Sequence, residues 1–140
     1  MTWSLDEPGV LALPSGRLLR GRRWTTTVKN PPDLGLYALW RDPTPDWPYR
    51  WIRWPDFGLP IHGKAAWTTI EQTWQAAESQ RIEVACGGGK GRTGTILAAM
   101  AILEGLSADD AIAWVRTHYD QHAVETPWQR TWLQHRRDPR

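Results

Sequence analysis

Cysteine is almost missing from this chain: Cys86 is the only one in 140 residues. A lone cysteine excludes an internal disulfide framework, and a reducing, cytoplasmic setting is the expectation. Lysine is nearly as scarce, with only Lys29, Lys64 and Lys90 among the 17 basic residues. A strong excess of one charge is also lacking. The net charge of +2 is too small to suggest a nucleic-acid partner. No run approaches the roughly 18 apolar residues of a membrane span. The opening Met1-Thr2-Trp3-Ser4-Leu5-Asp6-Glu7 has no basic stretch leading into an apolar one, so it does not read as a secretory signal. Histidines show no metal-ligand pattern. His118 and His122 stand at i and i+4 without a third ligand, and neither a metal nor another cofactor is expected.

What is present fits a folded α/β chain, read as one domain over residues 1–140. Hydrophobic residues make up 41% and charged residues 23%, the balance of a globular protein rather than a disordered one. Eleven tryptophans are many for this length, and most are expected in the core or as groove walls. Arg17, Arg20, Arg22 and Arg23 lie close together, either as a patch attracting anions or as a solvated face. Strand candidates are Val10–Leu13, Gly35–Trp40, Tyr49–Trp54 and Arg81–Cys86, each bounded by turn residues. The second half reads as helical. Trp67, Ile70, Trp74 and Ala77 form a stripe on a helix from about Lys64 to Gln80. Thr93 to Glu104 is apolar nearly all round and stops at Gly105, which predicts a buried helix. Ser107 with Asp110, and Thr126 with Pro127, mark the starts of two more. Strands first and helices later predict a mainly parallel sheet flanked by helices.

The segment Arg81 to Thr95, RIEVACGGGKGRTGT, carries the chemistry. A strand ends at Cys86, a glycine-rich loop follows, and a helix begins near Arg92 or Thr93. Gly87, Gly88, Gly89 and Gly91, with Lys90 among them, let backbone N–H groups turn inward around an anion. The helix start beneath adds a positive dipole end. A phosphate dianion fits there, and so does a thiolate at Cys86. Arg92, six positions on, can place a planar guanidinium across two phosphoryl oxygens. Thr93 can donate its hydroxyl to the sulfur. The alternative for Cys86 is a buried, inert thiol. A nucleotide-binding Walker loop is excluded, because Lys90 is followed by Gly91 and the first glycine position holds Val84.

CGGGKGRTG resembles the signature loop of the protein tyrosine phosphatase superfamily, and its GKGRTG portion is similar to that of phosphoinositide phosphatases and dual-specificity members. One departure is Ala85, where the family usually has a histidine. A second stretch, Trp54-Pro55-Asp56-Phe57-Gly58-Leu59-Pro60, is very similar to the family's mobile acid loop and stands 30 positions before the cysteine. On residues alone Asp56 is a loop aspartate; the resemblance implies that it is general acid and then base, with Trp54 and Gly58 as hinge or packing residues. The resemblance further implies that a glutamine guides the hydrolytic water. Gln129 is the residue carried over, its alternative being an ordinary helix-cap glutamine, while Glu125 stands where another glutamine is common. Together these imply a cysteine-dependent phosphatase acting on a phosphorylated protein or a small phosphomonoester, without a metal. Phosphotyrosine or dual-specificity activity is preferred. A phosphoinositide head group and a binding module without turnover are the alternatives.

Overall fold

A computed structural model describes residues 3–135. Five strands and four helices follow one another as β1 Val10–Ala12, β2 Leu18–Arg23, β3 Leu34–Leu39, β4 Tyr49–Arg53, α1 Gly63–Ala76, β5 Ile82–Cys86, α2 Gly91–Leu103, α3 Ala108–His118 and α4 Pro127–Gln134. The strands form one sheet in the order β1-β2-β5-β3-β4, with only the β1–β2 pair antiparallel. The mainly parallel α/β sheet is as expected. One strand goes beyond the sequence expectation, β2, whose Leu-Leu-Arg-Gly-Arg-Arg reads in sequence as part of a basic cluster.

Register explains what each face of the sheet carries. Leu19, Ile82 and Leu34 share one row, and Cys86, Ala38 and Ile52 share another, on the face that joins the helical core. Central in that core is α2, buried from Gly91 through Ala101 and packed against β5, α1, α3 and α4. Its termination follows the sequence reading: Gly105 takes φ +113, and the amide of Leu106 reaches back to the carbonyl of Ala101 at 3.2 Å.

The opposite face holds a buried charge cluster. Glu83, fully buried in β5, accepts from Arg20 Nε at 2.9 Å and Nη2 at 2.5 Å, from Arg22 Nε at 2.6 Å, and from the Tyr37 hydroxyl at 2.6 Å. Trp47 Nε1 donates to that hydroxyl in turn, at 2.7 Å. Burial, and next the Glu83 charge, push the Tyr37 phenol well above its ordinary range. Arg20 and Arg22 are therefore not a solvated face. Each cation is consumed by a carboxylate that β5 would otherwise bury unpaired.

Most tryptophans lie in or against the core, Trp67, Trp74, Trp114 and Trp132 packing on it beside Trp3 and Trp54. Only Trp3 and Trp54 are fully buried. Several of the others lie half-buried at the rim of the core, where arginines stack on them: Arg17 over Trp74 at 4.4 Å and Arg53 over Trp51 at 5.2 Å. The last helix is capped as its sequence suggests. Thr126 accepts from the Gln129 amide and the Gln129 side chain accepts from the Thr126 amide, a reciprocal box ahead of Pro127.

Candidate active site

The end of β5 and the start of α2 define the site, at the carboxyl edge of the parallel strands where open α/β sheets take ligands. Cys86 is the last residue of β5 and is buried. The loop Gly87-Gly88-Gly89-Lys90 carries the chain into α2 at Gly91. Gly89 turns with φ +72, and its amide points at the sulfur, N to Sγ 3.2 Å. Gly88 and Lys90 are exposed at the mouth, and Lys90 is the N-cap of α2 without using its side chain as a cap.

Two interactions pin this loop from outside. The amide of Trp24 donates to the Cys86 carbonyl at 2.8 Å, extending the β2–β5 pairing one residue past the strand. On the other side, the Tyr119 hydroxyl donates to the Gly89 carbonyl in a short hydrogen bond. Its ring reaches that carbonyl by lying against Gly21, where a Cβ would stand 2.5 Å from the ring edge. Burial, and next the charge at Cys86, push the Tyr119 phenol far above its ordinary range, so it remains a donor. Tyr119 was not foreseen from sequence. Its one signal was a glycine inside a strand, which marks close approach of another group.

Arg92 joins the cradle to the acid loop. Its side chain is 6% exposed, and Nη1 donates to the Trp54 carbonyl at 2.9 Å. Nη2 lies 3.5 Å from Asp56 Oδ1. Arg92 Nε and the Thr93 hydroxyl are buried without a hydrogen-bond partner among the described residues, so the expected bond from Thr93 to the Cys86 sulfur is not made. Leaving such donors unpaired costs about 1–3 kcal/mol each.

The expected acid loop is thus brought to the expected nucleophile loop. Trp54 is fully buried, and its Nε1 donates to the Gly58 carbonyl at 2.7 Å, closing the turn Pro55–Gly58. Asp56 projects outward, its side chain 62% exposed and turned toward Arg92. Phe57, at φ +59, is exposed beside it. The last helix holds this loop down. Trp128 Nε1 donates to the Phe57 carbonyl at 2.5 Å, and Gln129 Nε2 donates to the Gly58 carbonyl at 3.1 Å.

Gln129 is therefore engaged through both its amide nitrogen and its oxygen. Its Oε1 accepts from the amides of Glu125 at 2.9 Å and Thr126 at 3.2 Å, and the side chain is buried. Accepting from water through Oε1 would require those two bonds to break. The neighbouring Glu125 is placed differently: its carboxylate occupies the space left by the missing side chain of Gly91, at the first turn of α2. Among the described residues no group of three or more His, Cys, Asp or Glu side chains is arranged to hold a metal. No helix of the described residues is long and apolar enough to cross a membrane.

Several known proteins resemble this chain. An uncharacterized protein of Methanocaldococcus jannaschii is 29% identical over 105 residues, which cover 75% of this chain; the chain spans 57% of that relative's length. Solved structures that share its fold include three phosphatases. Tk-PTP in its active form matches with a TM-score of 0.63 and 24% identity, over 74% of this chain and 79% of that one. A kinase-associated phosphatase whose catalytic cysteine is replaced by serine matches at 0.65 and 17%, over 76% and 68%. A variant of human DUSP28 matches at 0.57 and 18%, over 73% of each chain. A family model described as protein-tyrosine phosphatase matches residues 41–123, which is more than half of the chain and takes in both the acid loop and the cysteine loop. On that match this chain belongs to the protein-tyrosine phosphatase family.

Proposed function

We propose that this chain hydrolyses phosphate monoesters through a phosphocysteine at Cys86, with phosphotyrosine or dual-specificity protein substrates. The observation that carries the reading is the inward amide of Gly89 on the Cys86 sulfur, set over the start of α2 and beside the buried guanidinium of Arg92. That field stabilises a sulfur anion and a phosphoryl group in the same place.

In the first step the Cys86 thiolate attacks phosphorus in line. The phosphorus–oxygen ester bond breaks, its electron pair goes to the departing oxygen, and Asp56 supplies the proton. Arg92, with the amides of Gly87, Gly88, Gly89, Lys90 and Gly91, holds the other phosphoryl oxygens. In the second step water attacks phosphorus, Asp56 takes a proton, and the sulfur–phosphorus bond breaks to restore the thiolate. The group proposed to orient that water is Glu125, because its carboxylate lies on Gly91 while the amide of Gln129 is engaged elsewhere. Exposed Phe57 and Trp128 support an aromatic leaving group, since they put an apolar rim beside the acid.

A second reading, a phosphate-binding module without turnover, draws on Ala85, which is buried in β5 and has no side-chain polar atom to offer the loop. Turnover of para-nitrophenyl phosphate separates the two. The hydrolase reading expects activity in the wild type, essentially none in Cys86→Ser, and a large loss in Asp56→Ala. Wild-type protein that binds phosphate but never releases product from an aryl ester would refute it.

A further inference from the structure

Asp56 stands in the middle of an exposed turn that is held at both ends and at its centre. Arg92 Nη1 meets the Trp54 carbonyl ahead of it, and Gln129 Nε2 meets the Gly58 carbonyl behind it. Between them the Trp128 indole donates to the Phe57 carbonyl at 2.5 Å, one residue from the acid. Phe57 in turn donates its amide to Asp56 Oδ1 at 3.0 Å, and Arg92 Nη2 approaches the same oxygen at 3.5 Å. Oδ1 is thereby engaged as an acceptor, so the proton that the acid delivers is carried on Oδ2.

The central tie is not a by-product of packing. Trp128 and Phe57 are both exposed, so burial does little to fix either ring. Phe57 also sits at φ +59, a left-handed conformation that a residue with a Cβ seldom keeps without a compensating contact. The indole bond supplies one. Its donor is set in place by the start of α4, where the reciprocal cap of Thr126 and Gln129 and the fixed φ of Pro127 leave the first turn little freedom. Trp128 lies between Pro127 and Gln129. Further along the same helix, Trp132 meets Trp54 edge-on at the root of the turn, ring centroids 5.5 Å apart.

Resting on the phosphatase reading, we propose that Trp128 is a positioning residue for the general acid. Its indole N–H holds the Phe57 peptide in the left-handed turn, and through the Phe57 amide it keeps the Asp56 carboxyl beside Arg92. Once that bond is lost, the turn relaxes toward ordinary backbone angles and Asp56 moves off Arg92. The cradle itself is spared, because an indole has a single N–H and Phe57 takes it. The deficit therefore falls on proton delivery to the departing oxygen and not on attack of sulfur at phosphorus.

Leaving groups separate those two demands. Phenyl phosphate releases a poor leaving group that needs a proton, whereas dinitrophenyl phosphate releases one that departs as the anion. Trp128→Phe keeps an aromatic ring and removes the donor. It should lower kcat/KM for phenyl phosphate roughly threefold to tenfold more than for dinitrophenyl phosphate. In an Asp56→Ala background the same change should cost phenyl phosphate nothing further. A ratio between the two esters equal to that of wild type would overturn the proposal. So would a full additional loss in the Asp56→Ala background. If wild type turns over neither ester, the phosphatase reading fails by itself, and hydrogen exchange then judges the tie. Trp128→Phe should speed exchange of the Gly58 and Ile61 amides, which bond to the Pro55 and Arg53 carbonyls, and leave the amides of the Cys86–Arg92 loop unchanged. Unaltered exchange at Gly58 and Ile61 refutes the tie.

Discussion

Replacing Gly89 by alanine tests the cradle where a side chain has least room. At φ +72 a residue with a Cβ pays about 1–2 kcal/mol in conformational energy. The new Cβ would also stand 2.7 Å from the Arg23 nitrogen and 2.9 Å from the Arg22 carbonyl carbon. Those are backbone atoms of a strand paired to β5, so they cannot yield as a flexible side chain would. The loop must move instead, carrying the Gly89 amide away from the sulfur it now meets at 3.2 Å. A hydrogen bond to a charged group is worth about 1.5–3 kcal/mol, which corresponds to roughly 10- to 100-fold in turnover. Gly88→Ala is the control for the fold, because a Cβ there meets nothing within 4 Å. Its stability in urea should stay within about 0.5 kcal/mol of wild type. The assay pairs aryl phosphate turnover with the rate of Cys86 alkylation by iodoacetamide, which reads the thiolate directly. Gly89→Ala should lose both. Unchanged alkylation and turnover would refute the assignment of that amide to the sulfur.

Three further outcomes follow from the same geometry. Glu83→Gln leaves Arg20 and Arg22 facing an uncharged group, and urea unfolding should show a loss of about 3–5 kcal/mol; an unchanged midpoint would mean that solvent already screens the cluster. Because folding raises the Tyr119 phenol above its ordinary 10.0, the stability it confers is complete below pH 10 and lost as pH rises beyond it, so Tyr119→Phe should flatten the loss of stability measured by unfolding above pH 10. In rapid-quench experiments Gln129→Leu should slow formation of the phosphoenzyme by loosening the acid loop, whereas Glu125→Ala should let it accumulate; accumulation in Gln129→Leu instead would return the water-guiding role to Gln129.

Much of the site was legible because its residues are close in sequence. The cradle runs from Cys86 to Arg92 in seven consecutive positions, and glycines there declare where backbone rather than side chain meets a ligand. Helix starts at Ser107 and Thr126 could be read because a cap is a local interaction. What stayed hidden depends on distant partners. β2 was concealed because Arg20 and Arg22 look solvated until Glu83, some sixty positions away, is set beside them. One sign of it was present: a single carboxylate inside the apolar run Ile82-Glu83-Val84-Ala85-Cys86 needs a counter-charge somewhere. The roles of Tyr119 and Glu125 likewise rest on contacts with glycines far off in the chain, which no spacing records.

The central claim is a covalent phosphate on one sulfur. Acid quenching during turnover of an aryl phosphate, followed by mass analysis of the peptide containing Cys86, should find that peptide phosphorylated in the wild type, and more so in Glu125→Ala. A chain that turns over the substrate while the Cys86 peptide remains unmodified in both proteins would contradict the account.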